Sequence, residues 1–146
     1  MNDYVFGTSQ GVKDAVVDQC KKLVNSRMRK MPVQITKSDI MYHAFERATG
    51  ILASVVIARV DDREIVIERV YTVPQHRRKG LSGILFKRLF RDFPDHTFFL
   101  TVANNNIVAR GFYQKLGFAI YIECGIKRKW CQMIRYPDHT KHIVPA

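Results

Sequence analysis

Apolar residues recur along this chain at two different periods, and the switches between them mark its elements. Val12, Val16, Cys20, Leu23 and Val24 fall on one stripe at helical spacing, with Lys13, Asp14, Lys21 and Lys22 off it. Thr8 or Ser9 is the expected cap of this helix, and Pro32 sets its limit because the residue ahead of a proline avoids helical geometry. Residues 40–48 fit two patterns. Ile40, Met41, Ala44 and Phe45 suit a short helix behind Ser38, whereas Tyr42, Ala44 and Glu46 alternate as a strand. The downstream residues favour the strand: Gly50 turns the chain into the β-branched run Ile51–Val60, and Asp61-Asp62 turns it again into Ile65–Val73. Three runs joined by tight turns predict an antiparallel meander that opens with 41–47.

After Gly80 the period lengthens. Leu81, Ile84, Leu85, Leu89 and Phe90 make a helical stripe that Phe93-Pro94 stops. Phe98–Val102 reads as a buried strand. Asn105 or Asn106 then caps a second helix that runs to Lys115, and Gly117 supplies the positive φ that ends helices. Phe118–Glu123 and Trp130–Tyr136 read as two last strands. The predicted order is helix, three strands, helix, strand, helix, two strands. This is a single α/β domain over residues 1–146, with one mixed, mostly antiparallel sheet flanked by helices.

Composition narrows this picture without changing it. The chain has 146 residues, 47% of them hydrophobic and 25% charged, the balance of one folded domain. No apolar run approaches the ~20 residues that span a bilayer, and no charged segment followed by an apolar block opens the chain. The expectation is a cytoplasmic protein without a membrane partner, its oligomeric state open and a dimer compatible with the sequence. Cys20, Cys124 and Cys131 are read as reduced thiols, since three cysteines leave one over and none form C-x-x-C. His139 and His142 lack a second ligand pair, so no metal site is expected.

Charge is the unusual number. Lys plus Arg total 24 against 13 Asp plus Glu, a net +11. Such a surplus concentrates anions, from phosphates to nucleic acid, near the surface. The basic residues are scattered, however, in runs no longer than Arg77-Arg78-Lys79 and Lys127-Arg128-Lys129.

The first of those runs lies in the most informative segment. From Ile67 to Gly83 a strand ends, Pro74 turns the chain, and a basic loop opens directly into a helix. Backbone N–H groups at such a helix start converge on one spot at the positive end of the helix dipole, which suits a pyrophosphate. Gly80 and Gly83 allow backbone to approach a ligand closely. The patterns G-x-x-x-x-G-K-[ST] and G-x-G-x-x-G are both absent, so ATP, GTP and dinucleotides lose weight as ligands.

Arg77-Arg-Lys-Gly80-Leu-Ser82, following a strand and a proline turn, resembles the [QR]-x-x-G-x-[GA] pyrophosphate loop of the GCN5-related N-acetyltransferases. A second segment, from Asn106 through Ala109, Phe112 and Tyr113 to Gly117-Phe118, is similar to the family's N-x-x-A-x-x-[FY]-Y-x-K-L-G-F run. The order of the two, and the strand and helix between them, agree as well. The resemblance covers about residues 40–136. It departs at Ser82, where the family prefers Gly or Ala, and at Thr72, where valine is usual.

The resemblance implies the acyl-CoA N-acyltransferase fold and the transfer of an acetyl group from acetyl-CoA to a primary amine. By position, the backbone of Val70, Tyr71 and Thr72 would hold the acetyl and pantetheine part. The loop and helix start, Arg77, Arg78, Lys79, Gly80, Leu81, Ser82, Gly83 and Ile84, would hold the pyrophosphate. Asn106 would contact the pantetheine arm, and Tyr113 would stand near the sulfur as general acid. Some members carry a glutamate at the position of Thr101, which cannot act as a base. Glu68 is the alternative, expected on one strand face with Val66 and Val70, where burial would raise its pKa. Pairing of Glu68 with a nearby arginine, and ordered water as the base, both stay open.

Two other readings stand beside this one: a coenzyme-binding member without catalysis, and a basic nucleic-acid-binding module. The acceptor is not specified by any motif. The shortage of carboxylates points to a small amine, or to an acceptor attached to something acidic such as a nucleic acid or an acidic protein.

Overall fold

A computed structural model describes residues 2–10 and 39–137. They form one seven-stranded sheet. Its strands are β1 (Tyr4–Gln10), β2 (Asp39–Glu46), β3 (Leu52–Asp61), β4 (Glu64–Thr72), β5 (Thr97–Ala103), β6 (Ala119–Cys124) and β7 (Trp130–Arg135), in the spatial order β1-β2-β3-β4-β5-β7-β6. Two helices accompany them, α1 (Leu81–Asp92) and α2 (Ile107–Lys115). The expected meander is β2-β3-β4. Every neighbouring pair is antiparallel except β4 and β5, because the chain between those two crosses over through α1.

The expected start of the chain is corrected. Thr8 and Ser9 do not cap a helix; they lie within β1, paired to Tyr42 and Met41. Tyr4, Phe6 and Thr8 alternate with Val5, Gly7 and Ser9, and at this sheet edge the period of two prevails over the capping signal. The stripe from Val12 to Val24, with Cys20, lies outside the described residues, as do His139 and His142.

Helix α1 packs Leu81, Leu85, Phe86 and Leu89 onto the sheet, against a layer that includes Tyr42, Val56, Ala58, Ile65 and Phe98. Of the expected stripe Leu81, Leu85 and Leu89 are buried, Ile84 and Phe90 are only partly so, and Phe86 is buried in addition. Phe86 is fully buried and meets Phe112, Tyr113 and Phe118 edge-on at 6.1, 5.9 and 6.3 Å between ring centroids. That aromatic cluster joins α1 to α2. Asn106 caps α2, its side chain accepting from the Ala109 amide at 3.2 Å, and Gly117 follows with φ of 100°. Cys131 is buried.

Candidate active site

Strands β4 and β5 run side by side only briefly. Their ladder pairs Glu64 with Thr97, Ile65 with Phe98 and Val66 with Phe99, and goes no further. Beyond it β4 stays with β3 as far as the Ser54–Thr72 pair, while β5 stays with β7 as far as Ala103–Trp130. A wedge therefore opens between the carboxyl ends of two parallel strands, the place where open α/β sheets bind ligands. Val70, Tyr71 and Thr72 lie along this stretch of β4. The hydroxyl of Thr72 meets Ser54 Oγ at 2.8 Å, so the polar residue in a strand position usual for valine has a partner.

The basic loop sits at the end of β4. Pro74–His76 forms a single tight turn, Arg77 is extended, and Arg78 and Gly80 both adopt positive φ, 65° and 76°. Gly80 is the N-cap of α1 and carries no side chain to satisfy the first amides of the helix. The space around it is open: a Cβ there would meet nothing within 4 Å, and one on Gly83 would only touch the Phe112 ring at 4.0 Å. Arg77, Arg78 and Lys79 are exposed at this helix start. Helix amides with their dipole, three cations and free space fit a pyrophosphate. Arg77 also donates to the Thr72 carbonyl at 2.9 Å, which folds the loop back on the strand end.

Tyr113 lies two turns along α2 from Asn106. Its ring packs on Phe86, Phe112 and Phe118 at 5.9, 5.3 and 6.0 Å, and burial pushes the phenol up to about 12. It is thus protonated at neutral pH and able to donate.

Glu68 differs from its expected placement. Ile57 pairs with Arg69 and Ala58 with Ile67, so Glu68 is the extra residue of a β-bulge. The bulge reverses the alternation. Val70 joins Ile65 and Ile67 against the helix-covered core, while Val66 is exposed, so Glu68 does not share a face with both valines. The side chain of Glu68 is largely buried and pairs with Arg59 at 2.6 Å, the arginine partner left open by the sequence. Arg59 also approaches Asp39, a buried carboxylate, at 3.8 Å. Burial raises the Glu68 pKa, the charge of Asp39 raises it further, and Arg59 opposes both. The bulge falls two residues after the last β4–β5 pair, so Glu68 lies at the position on β4 where the wedge begins. Thr101 is exposed on β5.

Sequence reasoning missed the supports of this site. Asp39 and Arg59 come together only through the β2–β3 register, where they are directly paired. His76 is held by Tyr4 and Glu46, which no local pattern connects to the loop. Among the described residues no group of three or more His, Cys, Asp or Glu side chains could hold a metal ion.

A family model described as the acetyltransferase (GNAT) family matches residues 18–118. No curated protein matches by sequence. Among solved structures, the ribosomal-protein-S18-alanine N-acetyltransferase from Escherichia coli superposes with a TM-score of 0.71 at 16% identity, covering 91% of this chain and 94% of that one. Arabidopsis thaliana Naa50, in complex with the bisubstrate analogue CoA-Ac-MVNAL, gives 0.66 at 18% identity over 90% and 97%. The PaiA N-acetyltransferase from Thermoplasma acidophilum, in complex with coenzyme A, gives 0.59 at 18% identity over 83% and 69%. At these identities the likeness is one of fold.

Proposed function

Because the chain belongs to the acetyltransferase (GNAT) family, we propose that it transfers the acetyl group of acetyl-CoA to a primary amine. The observation that carries this reading is the wedge between β4 and β5, with a basic, glycine-capped helix start at the end of β4. As substrate, acetyl-CoA brings an acyl group activated as a thioester. The chain would supply binding, orientation and proton movement.

The first amides of α1 receive the pyrophosphate, with Arg77, Arg78 and Lys79 balancing its charge. The edge of β4 from Val70 to Thr72 takes the pantetheine arm as an added strand would be taken. Asn106 uses Oδ1 for its cap, which leaves its amide N–H groups for the same arm. Glu68 accepts the proton of the acceptor ammonium, directly or through an ordered water, and its raised pKa brings it nearer the pH at which it must work. The amine nitrogen bonds to the acetyl carbon, the carbon–sulfur bond breaks as Tyr113 donates its proton to the leaving sulfur, and the second proton that the nitrogen sheds in becoming an amide restores the Tyr113 hydroxyl.

The test measures free thiol released from acetyl-CoA by the purified chain with a panel of amines, peptides and aminoacylated RNA, alongside the melting temperature with and without acetyl-CoA. Turnover on an amine together with a ligand-induced rise in Tm is the expected result. A rise in Tm with no turnover on any acceptor would support a coenzyme-binding protein without catalysis. Salt-sensitive nucleic-acid binding with no response to acetyl-CoA would support the binding module instead.

A further inference from the structure

The second basic run, Lys127-Arg128-Lys129, has no part in the coenzyme site. It forms the turn between β6 and β7 and, with Asn104, Asn105 and Trp130, lines a groove of about 580 Å³. This volume is within the range of pockets that hold a small ligand or a few residues of extended chain. The groove lies where β5 ends, the same end at which β5 diverges from β4.

The groove is built rather than incidental. Asn104 fastens its two sides together: its amide donates to the Lys129 carbonyl at 2.7 Å and its side chain to the Arg128 carbonyl at 3.1 Å. Arg110 from α2 in turn donates to the Asn104 side chain at 3.0 Å. Gly125 has φ of 86°, and a Cβ on it would lie 2.7 Å from the Trp130 ring, so the indole packs directly on the turn and forms a fixed wall. Lys127 and Arg128 hold positive φ, 57° and 53°, a conformation that L side chains adopt at a cost. Among the described residues none of the three cations makes an ion pair, although Arg59, His76 and Arg91 all do. Three exposed, unpaired positive charges over one polar groove are complementary to a ligand bearing carboxylates.

We propose that this groove is the acceptor site and that it takes an acidic peptide, an α-amino group carried a few residues ahead of Asp or Glu side chains. A peptide fits better than a nucleic acid. Among the described residues the cations lining the groove are the three of one short turn, a shorter stretch than the track a single-stranded nucleic acid follows. Asn105 offers an exposed amide to a peptide backbone, and Trp130 an apolar wall to a side chain. The proposal rests on the N-acetyltransferase reading for its chemistry, but its binding can be measured independently.

The experiment compares the peptides Ala-Glu-Glu-Glu-Leu, Ala-Gln-Gln-Gln-Leu and Ala-Lys-Lys-Lys-Leu, each labelled at its carboxyl end, by fluorescence anisotropy and by thiol release from acetyl-CoA. The acidic peptide should bind and react at least about ten-fold better than the glutamine peptide. The triple variant Lys127→Glu/Arg128→Glu/Lys129→Glu should lose that preference while keeping its acetyl-CoA-induced rise in Tm. Lys129→Glu alone, at an ordinary helical φ, serves if the triple variant does not fold. Acetylation of all three peptides alike, or a preference that survives these variants, overturns the groove but leaves the transferase. Preferential binding of the acidic peptide without its acetylation overturns the groove as the acceptor site, while the transferase is judged separately on the amine panel. Displacement of the acidic peptide by an octameric single-stranded RNA at lower concentration than by unlabelled peptide overturns the choice of peptide over nucleic acid.

Discussion

The Tyr4 hydroxyl lies 2.7 Å from Nδ1 of His76, and the two rings meet edge-on at 5.5 Å. His76 ends the tight turn before the basic loop, and its other nitrogen is 3.6 Å from Glu46 on β2. Lys79 stands 5.9 Å from the centre of the Tyr4 ring. The course of the loop is therefore set by contacts with the other end of the sheet as well as by its own sequence.

Tyr4→Phe removes this hydrogen bond and keeps the ring under Lys79. A hydrogen bond of this kind is worth about 1 kcal/mol, enough to lower Tm by a few degrees. Loosening of the loop should raise the KM for acetyl-CoA about three- to ten-fold, with kcat at saturation nearly unchanged because no reacting group is lost. Steady-state kinetics with varied acetyl-CoA provide the check. An unaltered KM would mean that the loop holds its shape without β1.

Gly80 combines positive φ with open space, so substitutions there separate two effects. Gly80→Ala should cost roughly 1 kcal/mol from backbone strain alone, since no atom lies in the way of its methyl group. It should retain most of the Tm rise with acetyl-CoA. Gly80→Glu adds a long anionic side chain where the pyrophosphate is expected, and should abolish the rise. Differential scanning fluorimetry of both variants decides the matter; equal ligand shifts in Gly80→Glu and the parent would remove the loop from the site.

Local period and local turn chemistry made most of this fold legible. The meander, the stripe of α1, the Asn106 cap and the final strands all follow from residues within a few positions of one another. Strand β1 did not, because an edge strand gains its definition from its partner, and Thr8-Ser9 carries a capping signal of equal strength. The bulge at Glu68 was equally hidden: strict alternation is the default reading of a strand, and only the register against β3 shows the extra residue. The Glu68–Arg59–Asp39 cluster required that register as well, its members coming from three strands.

The cluster predicts two opposite pH shifts. Glu68 has a raised pKa, first from burial and then from the charge of Asp39, while Arg59 and Arg69 lower it. A carboxyl raised in this way binds its proton more tightly folded than unfolded. Its stabilising contribution is complete below the unfolded pKa and is lost as pH rises through the folded one. A base must be deprotonated, so the acid limb of kcat/KM should lie above the ordinary glutamate range. Asp39→Asn should move that limb to lower pH, and Arg59→Met should move it to higher pH. Glu68→Gln should lower turnover by ~10²-fold or more, with partial recovery at high pH where the amine is already deprotonated. A pH profile unmoved by all three substitutions would leave Glu68 as a structural ion-pair partner and water as the base.

Tyr113 packs at the junction of the two helices and is proposed as the acid, and the two roles can be told apart. Its ring fills the junction of α1, α2 and Phe118, so Tyr113→Ala should be destabilising by about 3 kcal/mol or more. Tyr113→Phe keeps that ring and removes a single hydroxyl, so fold and coenzyme-induced Tm rise should persist. An interaction with a departing thiolate exists mainly in the transition state, and its loss should lower kcat by roughly ten- to a thousand-fold with little change in KM. Because burial holds the phenol near 12, it stays protonated across the working range, and the loss should be the same at every pH from about 6 to 9. That constancy separates Tyr113 from Glu68, whose replacement should change the shape of the profile. Parental turnover in Tyr113→Phe would show that the thiolate leaves unaided and that the residue is there to hold the two helices together.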